Sequence, residues 1–231
     1  TCRRMYYGVY EMPFVHFLQR TLKPGDVFLD LGANIGYMTA VAHGIVGETG
    51  TVFSCEPSPT CTGNFMTENP QPPTGVHWVQ AAVMEKDGMF KFADTPRVVS
   101  HGFGRVLHGE PREGETIVDV RAVSVDTLVK EHGIEHVHCM KVDVEGCERI
   151  VLNGSKGLLE CGAVDHIMVE TSNTEEASRA ETKYIFEYLS GHGMEPFLPD
   201  VHGNLKPFDL DLKESFRLDV IWRAKRLGNP S

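Results

Sequence analysis

Two short segments of the chain carry the residue types and the spacing from which a reactive site could be built. The first runs from Val27 to Gly36, and the second runs from Met140 to Glu148. In each, an apolar run that reads as a buried strand ends in an acidic residue and is followed by a glycine turn. Because ligands of open α/β sheets bind beyond the carboxyl ends of the strands, we expect both segments to border one pocket.

Acidic residues stand at the ends of four predicted strands: Asp30, Glu56, Asp143 and Glu170. Since a buried carboxylate is unfavourable without a cation, hydrogen-bond donors or water, four along one edge indicate a ligand site better than one would. We interpret Asp30 as a partner for a ligand ammonium, directly or through water. Glu56 follows at the end of the second strand, where an acidic residue can accept two ribose hydroxyls.

The glycine turn after the first strand predicts where the chain can approach a ligand closely. Gly32 and Gly36 relieve steric restrictions on the backbone, and the helix that follows offers unpaired N–H groups. Asn34 takes the place of the second glycine in the dinucleotide-binding pattern, which argues against a pyrophosphate. The amine and carboxylate of a methionine need no such close approach, so the pattern favours S-adenosylmethionine.

Four further residues are assigned to the cofactor. Pro57 follows Glu56, and Ala81 and Ala82 follow the third predicted strand, where their small side chains would let an adenine ring lie flat. Asp143 would contact the cofactor from the second segment.

Methyl transfer from an activated sulfonium depends mainly on positioning, which can contribute about 7–11 kcal/mol, whereas a general base adds about 10²–10⁴-fold. The candidates for that base are Asp143, Glu145, Glu170 and, on a long loop, His101. Lys141 alternates with Asp143, and a lysine in such a strand is rarely buried alone. We therefore predict that Lys141 pairs with Asp143 or Glu170.

Two other interpretations stay open. Asp143, Glu170 and Asn173 could bind Mg²⁺ or Ca²⁺ through oxygen and assist an O-methylation, or the chain could be a cofactor-binding interaction module without transfer activity. His136 and His138 share one face of a strand, but no third ligand with suitable spacing stands near them in sequence, so no metal site is predicted.

Alternating strands and helices predict an α/β fold with a mostly parallel sheet, helices on both faces and right-handed crossovers. Residues 1–24 are predicted as a helical lead-in and 25–231 as a single domain, with residues 94–115 as a lid loop. The predicted strands are 27–31, 51–55, 76–80, 89–93, 116–123, 137–142 and 166–169, with a closing hairpin of 195–198 and 217–222. The predicted helices are 14–22, 35–46, a helix capped by Ser58, a helix capped by Ser124 that runs to about 132, 147–152 and 175–190, the last capped by Thr174 and followed by Gly191.

Composition limits the possible partners and locations. The 231 residues have a formal net charge of −10, which argues against nucleic acid as the main partner. No apolar run approaches the ~18 residues of a membrane span. The 6 cysteines include no CxxC pair, which favours reduced thiols and a cytoplasmic protein. The chain begins at Thr1 without a methionine, so we expect it to be cut from a longer protein.

These residues resemble the FkbM family of S-adenosylmethionine-dependent methyltransferases over about residues 11–173. The motifs that carry the resemblance are Lys23-Pro24-Gly25-Asp26, the segment from Asp30 to Gly36, Glu56-Pro57-Ser58, Val125-Asp126-Thr127-Leu128, the segment from Lys141 to Glu148, Val151-Leu152-Asn153-Gly154, and Val169-Glu170. The resemblance implies a class I methyltransferase sheet with a reversed last strand. It also implies O-methylation of a hydroxyl on a sugar or a small natural product, so the partner would be a small-molecule or glycan acceptor. The 94–115 loop and the C-terminal hairpin match the family poorly and are expected to select the acceptor.

Overall fold

The computed structural model of the chain describes residues 11–95, the backbone of 104–106, and residues 110–228. Its strands are β1 (Val27–Leu31), β2 (Thr51–Cys55), β3 (Val76–Val79), β4 (Ala82–Val83), β5 (Gly88–Asp94), β6 (Gly104–Val106), β7 (Thr116–Val123), β8 (Val137–Val142), β9 (Val164–Ser172), β10 (Met194–Pro199), β11 (Leu205–Pro207) and β12 (Arg217–Ala224). Its helices are α1 (Met12–Thr21), α2 (Tyr37–Val46), α3 (Pro59–Glu68), α4 (Val125–Glu131), α5 (Glu148–Asn153), α6 (Lys156–Glu160) and α7 (Glu176–Gly191).

Eight strands form the main sheet in the order β11-β10-β12-β9-β8-β1-β2-β3. The neighbouring pairs from β9 to β3 are parallel, and β12 is antiparallel to both β9 and β10. The predicted α/β sheet with a reversed last strand is therefore confirmed. The strand order changes direction between β1 and β8, and the carboxyl edge at this position is where a ligand is expected.

Both faces of the main sheet are covered, because alternate side chains of each strand point to opposite faces. Leu29 and Leu31 of β1 belong to the larger core, which also contains buried residues of α4 to α7. Phe28 belongs to a second core with residues of α1 and α2, including Phe14 and Phe17. The predicted lead-in helix is therefore an integral layer of the fold.

A smaller sheet of four strands, in the order β4-β7-β5-β6, lies beside the main one. Phe92 of β5 pairs with Val106 of β6, inside the segment predicted as a lid loop. Residues 104–106 of that segment therefore extend the smaller sheet. The role of the segment as a lid stays a prediction.

Two helix starts match their predicted caps. The Cys61 N–H donates to Ser58 Oγ at 3.0 Å, and the Thr127 N–H donates to Ser124 Oγ at 3.1 Å. The predicted cap of α7 is wrong, since Glu175 and not Thr174 precedes the helix, which also includes Gly191. None of the helices in the described part of the chain combines the length and apolar character needed to cross a bilayer.

Candidate active site

The two glycine-containing segments meet in space at the carboxyl edge of β1 and β8. The Asp143 N–H donates to the Leu31 carbonyl at 3.1 Å. A Cβ on Gly32 would lie 1.8 Å from the Asp143 carbonyl oxygen, and the φ of Gly32 is 88°. Only glycine permits this approach, so the turn after β1 packs directly on the acidic end of β8.

The backbone amides of the glycine turn are paired within the protein. The N–H groups of Gly32 and Ala33 both donate to the Cys55 carbonyl at 3.0 Å, and the Gly36 N–H donates to the Ala33 carbonyl at 2.8 Å. The Asn34 N–H donates to Glu56 at 2.8 Å. The turn is therefore fixed by β2 and Glu56, because buried backbone donors need partners.

Glu56 lies at the end of β2 with 7% of its surface exposed. One carboxylate oxygen accepts the Asn34 N–H and the other accepts the Ser58 N–H, both at 2.8 Å. Burial raises the pKa of Glu56 to about 7 even though these two donors favour the ionised form. The position fits the predicted ribose contact, which stays a prediction.

Asp30 is fully buried, with no exposed surface. Its Oδ2 accepts a 2.7 Å hydrogen bond from Thr39, whose hydroxyl also lies 2.7 Å from that of Ser54. Its Oδ1 has no hydrogen-bond partner in the described structure. Burial raises the pKa of Asp30. With both oxygens enclosed, this arrangement gives no support to the predicted contact with a ligand ammonium.

Lys141 forms the predicted ion pair with Asp143, and the prediction is confirmed. Its Nζ lies 2.6 Å from Asp143 Oδ2, and only 5% of the lysine side chain is exposed. Burial alone would lower the pKa of Lys141, but the carboxylates of Asp143, Glu11 and Asp30 outweigh burial and raise it. Lys141 is therefore a buried cation at the place where the two glycine-containing segments meet.

The predicted catalytic carboxylates Asp143, Glu145 and Glu170 lie together at this edge. Arg217 of β12 links two of them, since its Nε lies 2.5 Å from Glu170 and its Nη2 lies 3.9 Å from Glu145. The fourth candidate, His101, lies outside the described residues. Glu170 lies inside β9, which continues to Ser172, so it does not end a strand as predicted.

Glu145 has an unusual backbone for a residue with a side chain. Its φ is 52°, and its side chain is 51% exposed. Burial of the carboxyl group, followed by the nearby Asp143 and Glu170 carboxylates, raises the pKa of Glu145. Left-handed backbone at a non-glycine residue costs free energy and occurs most often at functional sites.

Glu148 orders the loop that presents Glu145. One of its oxygens accepts the Val144 N–H at 3.2 Å and the Gly146 N–H at 3.1 Å. Glu148 therefore holds its own loop.

Sequence reasoning missed Asp219 and Arg217, which it had read only as part of a closing strand. Asp219 pairs in register with Glu170, so both residues face the same side of the sheet. Burial, followed by the Glu11 carboxylate, raises the pKa of Asp219 to about 7. Polar residues at alternate positions before the apolar Val220 were the available signal. We call Asp143, Glu145, Glu170 and Asp219 the acidic rim.

The remaining predicted cofactor residues lie near this edge but present little surface. Ala81 is 0% and Ala82 is 4% exposed, and they pack in different hydrophobic clusters. Pro57 is partly exposed between Glu56 and the start of α3. The adenine contact stays a prediction.

Asn173, one of the three residues of the alternative metal site, already has partners for its side-chain amide. This residue is 1% exposed, its Oδ1 accepts the Phe216 N–H at 2.9 Å, and its Nδ2 donates to the Glu214 carbonyl. Asn173 therefore fixes the segment before β12, while Lys141 and Arg217 neutralise the other two proposed ligands.

His136 and His138 do have a third potential ligand nearby in the folded structure, and the expectation that they lack one is wrong. Asp165 of β9 supplies a carboxylate, and the potential ligand atoms of the three residues lie within 4.8 Å of one another. However, the Val27 N–H donates to His138 Nδ1 at 3.0 Å, so His138 Nε2 carries the proton, and it faces Asp26 at 3.2 Å. A protonated nitrogen cannot bind a metal, and the cluster is a hydrogen-bonded network at the amino edge of the sheet.

The family assignment comes from sequence comparison. Residues 30–196 match the model of the methyltransferase FkbM domain, which covers most of the chain and both glycine-containing segments. The chain belongs to the FkbM methyltransferase family. A curated relative, the hexuronic acid methyltransferase AglP of Haloferax volcanii, is 27% identical over 161 residues, which are 69% of this chain and 62% of that protein. The chain thus spans less than two thirds of this relative.

Solved structures show the same fold at low sequence identity. The FkbM methyltransferase of Methylobacillus flagellatus superposes with a TM-score of 0.56 at 14% identity, covering 96% of this chain and 51% of that one. An rRNA methylase of Clostridium thermocellum, described as putative, gives a TM-score of 0.55 at 11% identity, with 91% and 92% covered. The class I methyltransferase fold of this chain is thereby established.

Proposed function

We propose that this FkbM domain binds S-adenosylmethionine and transfers its methyl group to a hydroxyl oxygen of a sugar. The observation that carries the proposal is the contact of Gly32 with Asp143. Through this contact the turn after β1 and the acidic rim form one continuous edge at the point where the strand order reverses. A cofactor over β1 and β2 would present its sulfonium toward β8.

Electrostatics supports a cationic cofactor at this edge. The carboxyl groups of the acidic rim and of Asp30 outnumber the two nearby cations, Lys141 and Arg217. S-adenosylmethionine carries a sulfonium and an ammonium against one carboxylate, so its net positive charge is favoured there. The demethylated product has lost the sulfonium charge and is held less strongly.

Glu56 is proposed to accept the ribose hydroxyls, and the remaining cofactor contacts are proposed from Asp30, Gly32, Asn34, Gly36, Pro57, Ala81, Ala82 and Asp143. Because the Gly32 and Gly36 amides are already paired, these glycines would shape the turn and would not donate to the ligand. Asp30 would act indirectly, through its electrostatic interaction with the buried ammonium of Lys141.

A sugar acceptor is supported by the Haloferax relative, which is named for methylation of a hexuronic acid. The acidic rim disfavours an anion deep in the site, so the carboxylate of such a sugar would point toward solvent or toward Arg217, whose side chain is 63% exposed. The net charge of −10 makes a nucleic-acid acceptor unfavourable.

Calorimetric titration of the full chain with S-adenosylmethionine tests the first step. Product analysis by mass spectrometry, with a panel of hexuronic acid glycosides and neutral sugars and with or without a chelator, tests the second. Binding with transfer to a sugar hydroxyl supports the proposal. Binding without transfer to any acceptor supports the interpretation as an interaction module. Loss of transfer when the chelator is added supports metal assistance. Absence of S-adenosylmethionine binding overturns the proposal.

A further inference from the structure

The four carboxyl groups of the acidic rim differ in what holds them. Asp143 is paired with Lys141 at 2.6 Å, Glu170 with Arg217 at 2.5 Å, and Glu145 with Arg217 at 3.9 Å. Asp219 makes neither a hydrogen bond nor an ion pair with any residue that the structure describes. A carboxylate paired with a cation is a weak base, because the cation favours its ionised form. Asp219 is the member of the rim without a cation paired directly to it.

The backbone fixes where Asp219 lies. It is in register with Glu170, and Ile221, two residues later, is in register with Met168. Ile221 and Met168 both belong to the core beneath α1. Because β12 runs against β9, the first residues of β12 lie at the carboxyl edge of β9. Asp219 is therefore at the ligand edge, above an apolar floor, and it keeps part of its surface exposed.

We propose that Asp219 is the general base that receives the proton of the acceptor hydroxyl. This inference rests on the proposed function. The hydroxyl O–H bond breaks and its proton bonds to an Asp219 carboxylate oxygen, while the hydroxyl oxygen bonds to the methyl carbon. The C–S bond of S-adenosylmethionine breaks and its electron pair returns to sulfur, which gives neutral thioether product. Protonated Asp219 then releases its proton to solvent.

The surroundings of Asp219 suit this role at neutral pH. Burial and the carboxylates of Glu11, Asp143 and Glu170 raise the pKa of Asp219, while Lys141 opposes them, and the result is about 7. A base is most effective when its pKa is near the working pH, where it is both ionised and able to hold a proton.

The cofactor and the acceptor would occupy different halves of the edge. The glycine turn and Glu56 belong to β1 and β2, whereas Asp219 is on β12, beyond β8 and β9 in the sheet order. An acceptor lying over β8, β9 and β12 would place its hydroxyl between the methyl group and Asp219.

The test compares Asp219→Asn with Asp119→Asn, a matched change at a residue of β7 whose side chain is 64% exposed. We expect Asp219→Asn to lower kcat by about 10²-fold or more, the range of general-base catalysis, with the Kd of S-adenosylmethionine unchanged within about twofold. Wild type and Asp119→Asn should show a kcat that rises through about pH 7, and the residual rate of Asp219→Asn should lack this rise. A loss below about fivefold, or an equal loss of cofactor binding, overturns the proposal.

Two further measurements keep the outcome decisive. If Asp219→Asn does not fold, the pH profile of Asp219→Glu is used: a displaced rise supports the proposal, and an unchanged rise assigns the base elsewhere. If wild type binds S-adenosylmethionine but methylates no acceptor in the panel, carbon-13 NMR of aspartate carboxyls in the cofactor complex decides. A titration near pH 7 that is present in Asp119→Asn and absent in Asp219→Asn supports the assignment, and its absence from wild type overturns it. Failure to bind the cofactor removes the proposed function itself.

Discussion

Lys141 is the residue on which the charge balance at the centre of the sheet depends. It is buried between the fully buried Asp30 and the partly buried Asp143, and its ammonium contacts Asp143 directly. Removing one partner of a buried pair leaves an uncompensated charge, and this is much less favourable than replacing the whole pair.

Lys141→Met should therefore lower the free energy of unfolding at pH 7 by about 3–5 kcal/mol. The matched control is Lys91→Met, because Lys91 pairs with Asp119 on the surface, where both side chains are 64% exposed. The control should change stability by less than about 1 kcal/mol. Urea unfolding at pH 7 measures both. Equal effects of the two variants would contradict a special role for the buried lysine.

Glu56 combines a structural role with a proposed binding role, and a single alanine variant would not separate the two. Its two oxygens accept the N–H groups of Asn34 and Ser58, so any truncation leaves donors unpaired. A neighbouring variant that weakens the same region without touching the carboxylate is needed for comparison.

Glu56→Gln should weaken S-adenosylmethionine binding at least about tenfold, since hydrogen bonds to a charged acceptor contribute about 1.5–3 kcal/mol. Ser58→Ala removes the cap of α3 and the bond to Asp94, and should lower stability by about 1–2 kcal/mol. It should leave the cofactor Kd within about threefold. Calorimetry with thermal unfolding compares the two, and a similar affinity loss in both would indicate that Glu56 acts through folding alone.

At the scale of elements, the glycine after β1 determines how closely two strands can end beside each other. Gly32 touches the Asp143 carbonyl, whereas a Cβ added to Gly44, inside α2, would meet no neighbouring side chain or strand within 4 Å. The two glycines therefore allow the same substitution to be tested in opposite environments.

Gly32→Ala should lower the free energy of unfolding by more than about 3 kcal/mol, because its Cβ would overlap backbone and its φ of 88° disfavours alanine. Gly44→Ala should raise it by about 0.5–1 kcal/mol, since alanine is the better helix former. Chemical unfolding of both variants provides the measurement. A tolerated Gly32→Ala would mean that the two segments do not pack as described.

Elements with local signals could be predicted from the sequence. The bounds of β1, β2, β7 and β8 match their predicted ranges, because buried parallel strands are apolar runs bounded by turn residues and β7 alternates. The caps at Ser58 and Ser124 followed from side-chain chemistry within one helical turn. Asp30 near the end of β1 and Asp143 after β8 could also be assigned to one edge.

Features that depend on long-range pairing could not be predicted. The insertion of β12 between β9 and β10 brings Arg217 and Asp219 to Glu170, and nothing near these residues in sequence indicates it. The same holds for the Cys55 carbonyl, which accepts the amides of the glycine turn, and for Asp165 beside His136. Each involves strands separated by tens of residues.

At the scale of the whole molecule, several carboxyl groups lie where they are poorly solvated. Burial raises the pKa values of Glu56, Glu148 and Asp219 to about 7. A raised pKa means that the folded state binds the proton more tightly than the unfolded state does. The stability that such a group contributes is full below its unfolded pKa and is lost as pH rises through about 7.

Asp219 allows this effect to be measured separately, because it makes no hydrogen bond to a described residue that an asparagine would break. Its pKa changes from an ordinary 3.8 to about 7 in the folded state. Three units correspond to about 4 kcal/mol, and we expect about half of that because Asp219 keeps contact with solvent. Asp219→Asn should thus be more stable than wild type by about 2 kcal/mol at pH 8, with the difference shrinking steadily toward pH 4.

Urea unfolding of wild type, Asp219→Asn and Asp119→Asn at pH 5, 6, 7 and 8 checks this expectation, because Glu56 and Glu148 titrate equally in all three proteins and cancel. A stability difference that does not change with pH would show that Asp219 is ordinary in its ionisation. The expected outcome is a stability difference that grows with pH, together with a loss of turnover in Asp219→Asn. It would mean that the Asp219 carboxylate lowers the stability of the fold but is needed for the reaction. Such a conflict between activity and stability is common at active sites.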